Sequence, residues 1–216
     1  MTAYLRSKPH IVLGYNGCDR DAGEEALSSN SADGLIASKN GYDWLGSGIY
    51  FWEADPMRAL DWARETHLRH LEREKTKGVP VTLRRPYVVG AVINLGTCLD
   101  LTTIEGVALV REGYAAYISD MKELQRQNPA FKIPKNTPEV DPRFRWLDYA
   151  VINYTCRVYE AQHDQPIDTV RSLFLEGDPI YDGATFREKD HTQICVRKPS
   201  NAVIAYFRVH GMAGMR

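Results

Sequence analysis

The sequence predicts an α+β domain, and three observations carry that expectation. Strand-like apolar runs sit at both ends, helical periodicity fills the middle, and the two alternate irregularly rather than as regular β-α-β units. A chain of 216 residues that is 44% hydrophobic and 25% charged has the composition of a packed globular protein. It can build a core without metal or disulfide staples, and one domain over residues 1–216 is expected.

The elements follow in order. Ile11, Val12, Leu13, Gly14 and Tyr15 read as the first strand, and Asn16, Gly17, Cys18 and Asp19 as the turn that ends it. A short helix is expected over 22–28, and 29–41 is a loop rich in Ser, Asn, Asp and Gly. A glycine-broken loop then runs into the aromatic strand Tyr50, Phe51, Trp52. Asp55 and Pro56 form a helix start, with Asp as N-cap and Pro at the first helical position. The 3.6-residue period from Met57 holds to about Lys75, where Gly78 and Pro80 stop it. Residues 87–95 are a nearly continuous apolar strand, expected to be buried on both faces. Residues 103–165 form a mostly helical insertion, with helices over 103–127 and 146–162 and a proline-rich connection between them. Strands return over 170–175, 192–197 and 202–209.

Charge and special residues bound the function. Lys and Arg number 27 against 28 Asp and Glu, a formal net charge of −1. Coating nucleic acid through counterion release needs a basic surface, so that class is disfavoured, although nucleic acid as a transient substrate is not. No run approaches the roughly 18 apolar residues of a membrane span, and the first residues lack the apolar core of a secretory signal. A cytoplasmic protein with no membrane partner is expected. Cys18, Cys98, Cys156 and Cys195 show no Cys-x-x-Cys spacing and read as reduced, packed thiols. His67 and His70 share a helix face but lack a third ligand, so no metal is expected.

Gly46-Ser47-Gly48 is not a nucleotide-binding glycine loop. A dinucleotide fingerprint leads from a strand into a helix, whereas this loop leads into a strand, and Phe51 stands where a third glycine belongs. The glycines instead allow a sharp turn or a close approach to a ligand.

Gly46-Ser47-Gly48-Ile49-Tyr50-Phe51 resembles the central motif of the diphtheria-toxin/PARP-like ADP-ribosyltransferases, a Gly-x-Gly-Ile-Tyr-Phe strand. The strand ending in Asn16-Gly17 resembles the family's first strand, which ends in His-Gly. The segment His191-Thr192-Gln193-Ile194 resembles the strand that carries the family's catalytic glutamate. The anchor segments cover about half the chain, and the 103–165 insertion has no clear family counterpart. The resemblance implies a split β-sheet core with helices, and NAD as the substrate. Breaking the nicotinamide–ribose bond creates an oxocarbenium-like centre, as in glycoside cleavage, so the site must hold nicotinamide flat and stabilise positive charge.

Carried over, Asn16 takes the place of the ribose-binding His and Gly17 offers backbone hydrogen bonds to the nicotinamide amide. Tyr50 stacks on the ring, with Gly48 and Phe51 completing the motif. Arg58 and Ala59 fall where the family often places a serine on the next helix, and Trp62 lies one residue from the family's second aromatic. Two positions depart from the pattern. Asn16 implies a His-to-Asn change, natural or introduced to inactivate a toxic enzyme. Gln193 replaces the glutamate, leaving Glu53 or Glu188 to supply charge and disfavouring polymer elongation. Glu53 has the competing reading of a cap or salt bridge at the helix start, and Tyr50, Phe51 and Trp52 by themselves are what an ordinary core strand looks like.

The resulting expectation is a mono-ADP-ribosyltransferase acting on protein, RNA or DNA, used as a bacterial toxin or phage-defence effector with a neutralising antitoxin protein. An NAD glycohydrolase and a non-catalytic NAD- or ADP-ribose-binding module are the alternatives. Arg126, Lys132, Lys135, Arg143, Arg145 and Trp146 are where target recognition is expected, and Arg84-Arg85 is a candidate phosphate contact if it lines the cleft.

Overall fold

The computed structural model describes residues 5, 10–29, 32, 34–38, 40–82, 84–141 and 143–211. Among them are seven strands and five helices. In chain order these are β1 (Ile11–Asp19), α1 (Arg20–Ser28), β2 (Ile49–Glu53), α2 (Pro56–Lys77), β3 (Pro86–Asn94) and β4 (Cys98–Asp100). There follow α3 (Ile104–Gln127), α4 (Trp146–His163), β5 (Thr169–Phe174), β6 (His191–Val196), α5 (Pro199–Ala202) and β7 (Val203–Arg208). The strands make one mixed, open sheet in the order β4-β5-β6-β2-β1-β3-β7. Only β4 and β5 run parallel. The α+β expectation holds at this level.

Local sequence explains most boundaries. The Asp55 side chain accepts the Arg58 N–H and Pro56 opens α2, while Gly78, at φ 65°, closes it in the left-handed region that glycine adopts most readily. Thr103 caps α3 through the Gly106 N–H. One boundary differs from expectation. The Asn16–Asp19 segment is not a turn, because β3 pairs with β1 over its whole length, from Ile11 opposite Asn94 to Asp19 opposite Pro86. Long-range pairing overrides the local turn preference of Asn-Gly.

Side chains alternate across β2 and so define the layers. Ile49 and Phe51 enter a core with Ala91, Ile93, Ile194 and Val196 on the face that α1 covers. Tyr50 and Trp52 point to the other face. There α2 covers the β1–β3 half through Ala59 and Leu60, which pack on Trp52 and Val88. The β4–β5–β6 half is covered by Leu109 of α3 and by Ile152, Cys156 and Tyr159 of α4, packed on Leu99, Val170 and Cys195. The helical pair of the 103–165 segment therefore supplies half of one core layer rather than standing outside the sheet. The helices leave a gap over β2, and a cleft opens there.

β1 and β2 pair at only two positions, Gly14 with Glu53 and Tyr15 with Trp52. Beyond them the strands part, and the Asn16 carboxamide spans the opening by donating to the Tyr50 carbonyl at 2.8 Å.

Candidate functional site

A cleft of about 820 Å³ opens over this gap. One wall is α2, which contributes Arg58, Trp62, Thr66, Arg69, His70 and Arg73. Their spacing of three or four residues sets them on one helix face. The opposite wall comes from Arg143, Phe144, Arg145 and Trp146 at the start of α4, together with Tyr42 and Asp43. Asn16, Gly17, Trp44, Tyr50, Trp52, Phe174 and Gln193 also line it.

Gly17 lets α2 come this close. A methyl group there would sit 2.0 Å from the Ala59 carbonyl oxygen, so a side chain at 17 would push the helix off the strand. Gly48 has a similar task elsewhere, since a Cβ there would meet Cys195 Sγ and the Val196 carbonyl at 2.5 Å. The close approach its lack of a side chain allows is to β6, not to a ligand. Gly46 turns at φ 84° beside α4, where Ser47 donates its N–H to Asn153 Oδ1 at 3.2 Å.

Tyr50 is held firmly. Its hydroxyl donates to the Gly46 carbonyl at 2.8 Å and accepts the Leu45 N–H at 3.0 Å. Burial, reinforced by the nearby Cys195 and Asp43, raises its pKa well above the ordinary phenol value, so the ring is a neutral platform. Burial also raises the Asp43 pKa, against the hydrogen bonds from Ser38 and Asn40. Gln193 accepts a 2.6 Å hydrogen bond from Trp44 Nε1, which fixes its carboxamide. The Trp44 ring lies 4.8 Å from Phe174, centroid to centroid.

The sequence-derived site residues divide into two groups. Asn16, Gly17, Tyr50, Arg58, Trp62 and Gln193 meet in the cleft. Gly48, Phe51, Glu53 and Ala59 are not among its lining residues. Phe51 is fully buried in the opposite core, and Ala59 acts through its backbone against Gly17. Glu53 receives both Arg171 Nε at 2.6 Å and Nη2 at 3.2 Å, and Arg171 also reaches Asp100 at 3.0 Å. That pairing is the salt-bridge reading of Glu53, with a different partner from the helix start.

Among the described residues, the carboxylates that do line the cleft are Asp43 and Glu176. Glu176, on the loop after β5, pairs with Arg58 at 2.6 Å, and His191 Nδ1 lies 3.9 Å from the same carboxylate. Glu188 is exposed, and its N–H donates to the Asp178 carbonyl. Arg84 and Arg85 do not line the cleft either, and Arg85 is engaged by Asp19 and Asp21. Among the described residues, the arginines that do are Arg58, Arg69, Arg73, Arg143 and Arg145. The row on α2 was detectable as Arg58, Trp62, Thr66, Arg69 and Arg73, spaced by three or four positions. Glu176 carried no sequence signal, because only the fold brings it 118 residues back to Arg58.

Arg58 is 5% exposed, and its Nε and Nη1 groups are buried without an acceptor. Unpaired buried donors are costly, and the Arg58 guanidinium donates to Glu176 through Nη2 alone. Among the described residues no group of His, Cys, Asp or Glu is arranged to hold a metal ion, and no helix is long and apolar enough to cross a membrane. The four cysteines are free; burial pushes Cys18 and Cys98 up to about 12 and Cys156 to about 11, which leaves them unreactive near neutrality. Comparison of the chain with protein-family models, curated proteins and solved structures gives no match.

Proposed function

We propose that the cleft binds NAD and that the protein is a mono-ADP-ribosyltransferase, acting inside a bacterial cell on a macromolecular target as a toxin or defence effector. The observation that carries this reading is the convergence of Asn16, Tyr50 and Gln193. They lie far apart in sequence, yet all three line one cleft where β1 and β2 separate. That separation supports reading the sheet as the split core of an ADP-ribosyltransferase.

In this reading Tyr50 and Trp62 hold nicotinamide flat, Gly17 offers its backbone to the amide, and Asn16 orients the ribose. The bond from ribose C1′ to the nicotinamide nitrogen breaks, and nicotinamide departs with the electron pair. A bond from C1′ to an acceptor heteroatom forms, and the acceptor's proton passes to a cleft carboxylate or to water. Positive charge developing at C1′ is stabilised by an anion nearby. Gln193 is uncharged, which leaves Asp43 and Glu176 as the cleft carboxylates for that role.

A second reading, a non-catalytic NAD- or ADP-ribose-binding module, is favoured by Gln193 itself, whose carboxamide is occupied by Trp44. Incubation with adenylate-labelled NAD and separate pools of protein, RNA and DNA decides between them. Label retained in one pool supports transfer, and free ADP-ribose alone points to a glycohydrolase. Binding of NAD without turnover, by this chain and by Asn16→His alike, leaves only the binding module.

A further inference from the structure

The cleft carries more positive charge than a dinucleotide needs. Among the described residues five guanidiniums line it against two carboxylates, Asp43 and Glu176, although the whole chain has a net charge of −1. Glu65 and Asp141 pair with Arg69 and Arg143 from just outside, but Lys189 shares Glu65 and at His70 Arg84 and Arg73 outweigh Glu74, so the surplus survives. NAD brings two phosphate charges, one of them offset by its own nicotinamidium.

The surplus is also crowded. Burial and then the neighbouring Arg143 lower the Arg69 pKa, and burial followed by Arg84 and Arg73 lowers that of His70. Like charges brought together across a groove from two walls raise the local potential, and an anion between them relieves it. On α2 the row from Arg58 to Arg73 runs along about 22 Å of helix, well beyond the Tyr50 ring.

Facing it is an aromatic cluster. Tyr42 lies 5.2 Å from Trp146 in a T-shaped arrangement and 5.5 Å from Phe144, and Phe144 lies 5.9 Å from Trp146. Trp146 keeps 38% of its surface exposed, and Arg143 and Arg145 flank this cluster. A cationic groove with exposed aromatic faces is the arrangement that holds single-stranded nucleic acid, whose phosphates track the cations while bases stack on the rings. A protein surface would instead need an acidic, ordered loop to enter the same groove.

We propose that the outer cleft is a channel for single-stranded nucleic acid, with phosphates on Arg69, Arg73 and Arg143 and a base on Trp146. The channel rests on the transferase reading above, since it brings an acceptor nucleotide toward the ribose held beside Tyr50.

The test uses the full chain and fluorescein-labelled 12-nucleotide RNA and DNA, single-stranded and as duplexes of the same sequence. Fluorescence anisotropy is measured from low to moderate salt, with NAD binding followed separately by calorimetry. The expected result is tighter binding of single strands than of duplex, with log K falling against log salt at a slope near −2 for three phosphate contacts (about −0.7 each). Trp146→Ala is expected to weaken single-strand binding roughly tenfold through lost stacking. Arg73→Ala is expected to make the salt slope shallower by about 0.7, and neither change should alter NAD affinity.

Absence of single-strand binding, or binding indifferent to both substitutions in folded protein, overturns the channel. So does a loss of NAD affinity in Trp146→Ala with oligonucleotide binding unchanged, because the ring then serves the dinucleotide. NAD-dependent labelling confined to protein also overturns it while leaving the transferase reading intact. Oligonucleotide binding that follows the expected pattern without any NAD binding leaves the channel standing and overturns the transferase reading.

Discussion

The Asn16 carboxamide donates a 2.8 Å hydrogen bond to the backbone carbonyl of Tyr50, just past the point where β1 and β2 stop pairing. One side chain thus replaces the ladder at the mouth of the gap and fixes the spacing between the proposed ribose and nicotinamide positions. Asn16→Ala leaves that half-buried carbonyl without its donor, and a loss of about 1 kcal/mol is expected in urea unfolding. NAD affinity should fall with it. Asn16→His restores an imidazole at the mouth, and NAD turnover is expected to rise about tenfold or more, since small misplacements of a bound group are costly in rate. Equal turnover by the two proteins would show that this position does not orient the ribose.

Glu53, the carboxylate expected from the sequence, and Glu176, one of the two that line the cleft, are expected to affect NAD turnover differently. Glu53 is committed to Arg171, so Glu53→Gln should lower stability by about 1–2 kcal/mol and leave NAD binding within twofold. Glu176 sits in the cleft beside Arg58, and Glu176→Gln should reduce NAD turnover about a hundredfold, as loss of one preorganised charged group does. It should also lower the melting temperature, because the guanidinium it pairs is buried. Thermal melts and single-turnover NAD cleavage on both variants check this. The reverse pattern would move the reactive charge back to Glu53.

These contrasts show what was legible in the sequence and what was not. The long helices were readable because their caps and periodicity are local: Asp55, Pro56 and Gly78 mark the two ends of α2 by themselves. The three-residue strand β4 was not, since its pairing with β5 joins Leu99 to Val170 and no local pattern encodes that. For the site, Asn16, Tyr50 and Gln193 were found through motif order. Phe51, next to Tyr50 in the same motif, belongs to the core on the other face because strand side chains alternate. Arg69 and Arg73 follow the helix period of α2, but only the fold sets that face against Arg143 and Trp146. Glu176 lies on a loop whose path depends on β5, β6 and Asp190, which accepts the Glu176 N–H at 3.1 Å, so nothing short of the fold announces it.

His191 gives the fold a defined acid sensitivity. Burial lowers its pKa, Arg58 adds to the effect, and the Lys189 carbonyl, Glu176 and Asp55 oppose it. The unfolded chain therefore binds this proton more readily than the folded one. Stability is full above the unfolded value of about 6.5 and declines as pH falls through it toward the lower folded value. His70, also lowered, acts with the same sign but is more exposed to screening. The lowered carboxyl groups Asp19, Glu65 and Asp141 lose their contribution only at more acid pH. Between pH 7.5 and 5 the melting temperature should drop in the parent protein and drop less in His191→Asn. Identical pH profiles would assign the decline to other groups.

Gly17 and Gly78 separate steric from conformational demands. At Gly78 a Cβ meets nothing within 4 Å, and only φ 65° disfavours other residues. Gly78→Ala should therefore cost about 1 kcal/mol, with the cleft unaffected. At Gly17 the backbone asks nothing unusual, but the new methyl would lie 2.0 Å from the Ala59 carbonyl oxygen and 3.3 Å from the Ala63 nitrogen. Those are backbone atoms of α2 and cannot rotate away, so the helix must shift. A shift of α2 moves Arg58, Trp62 and Arg69 together, because they ride on one face. Gly17→Ala is expected to destabilise by about 3 kcal/mol, at the upper end of overpacking effects, and to abolish NAD binding even at temperatures where the protein stays folded. Circular dichroism and calorimetry on the two variants measure both effects. A Gly17→Ala protein that binds NAD like the parent would mean that the close contact between β1 and α2 does not set the geometry of the cleft.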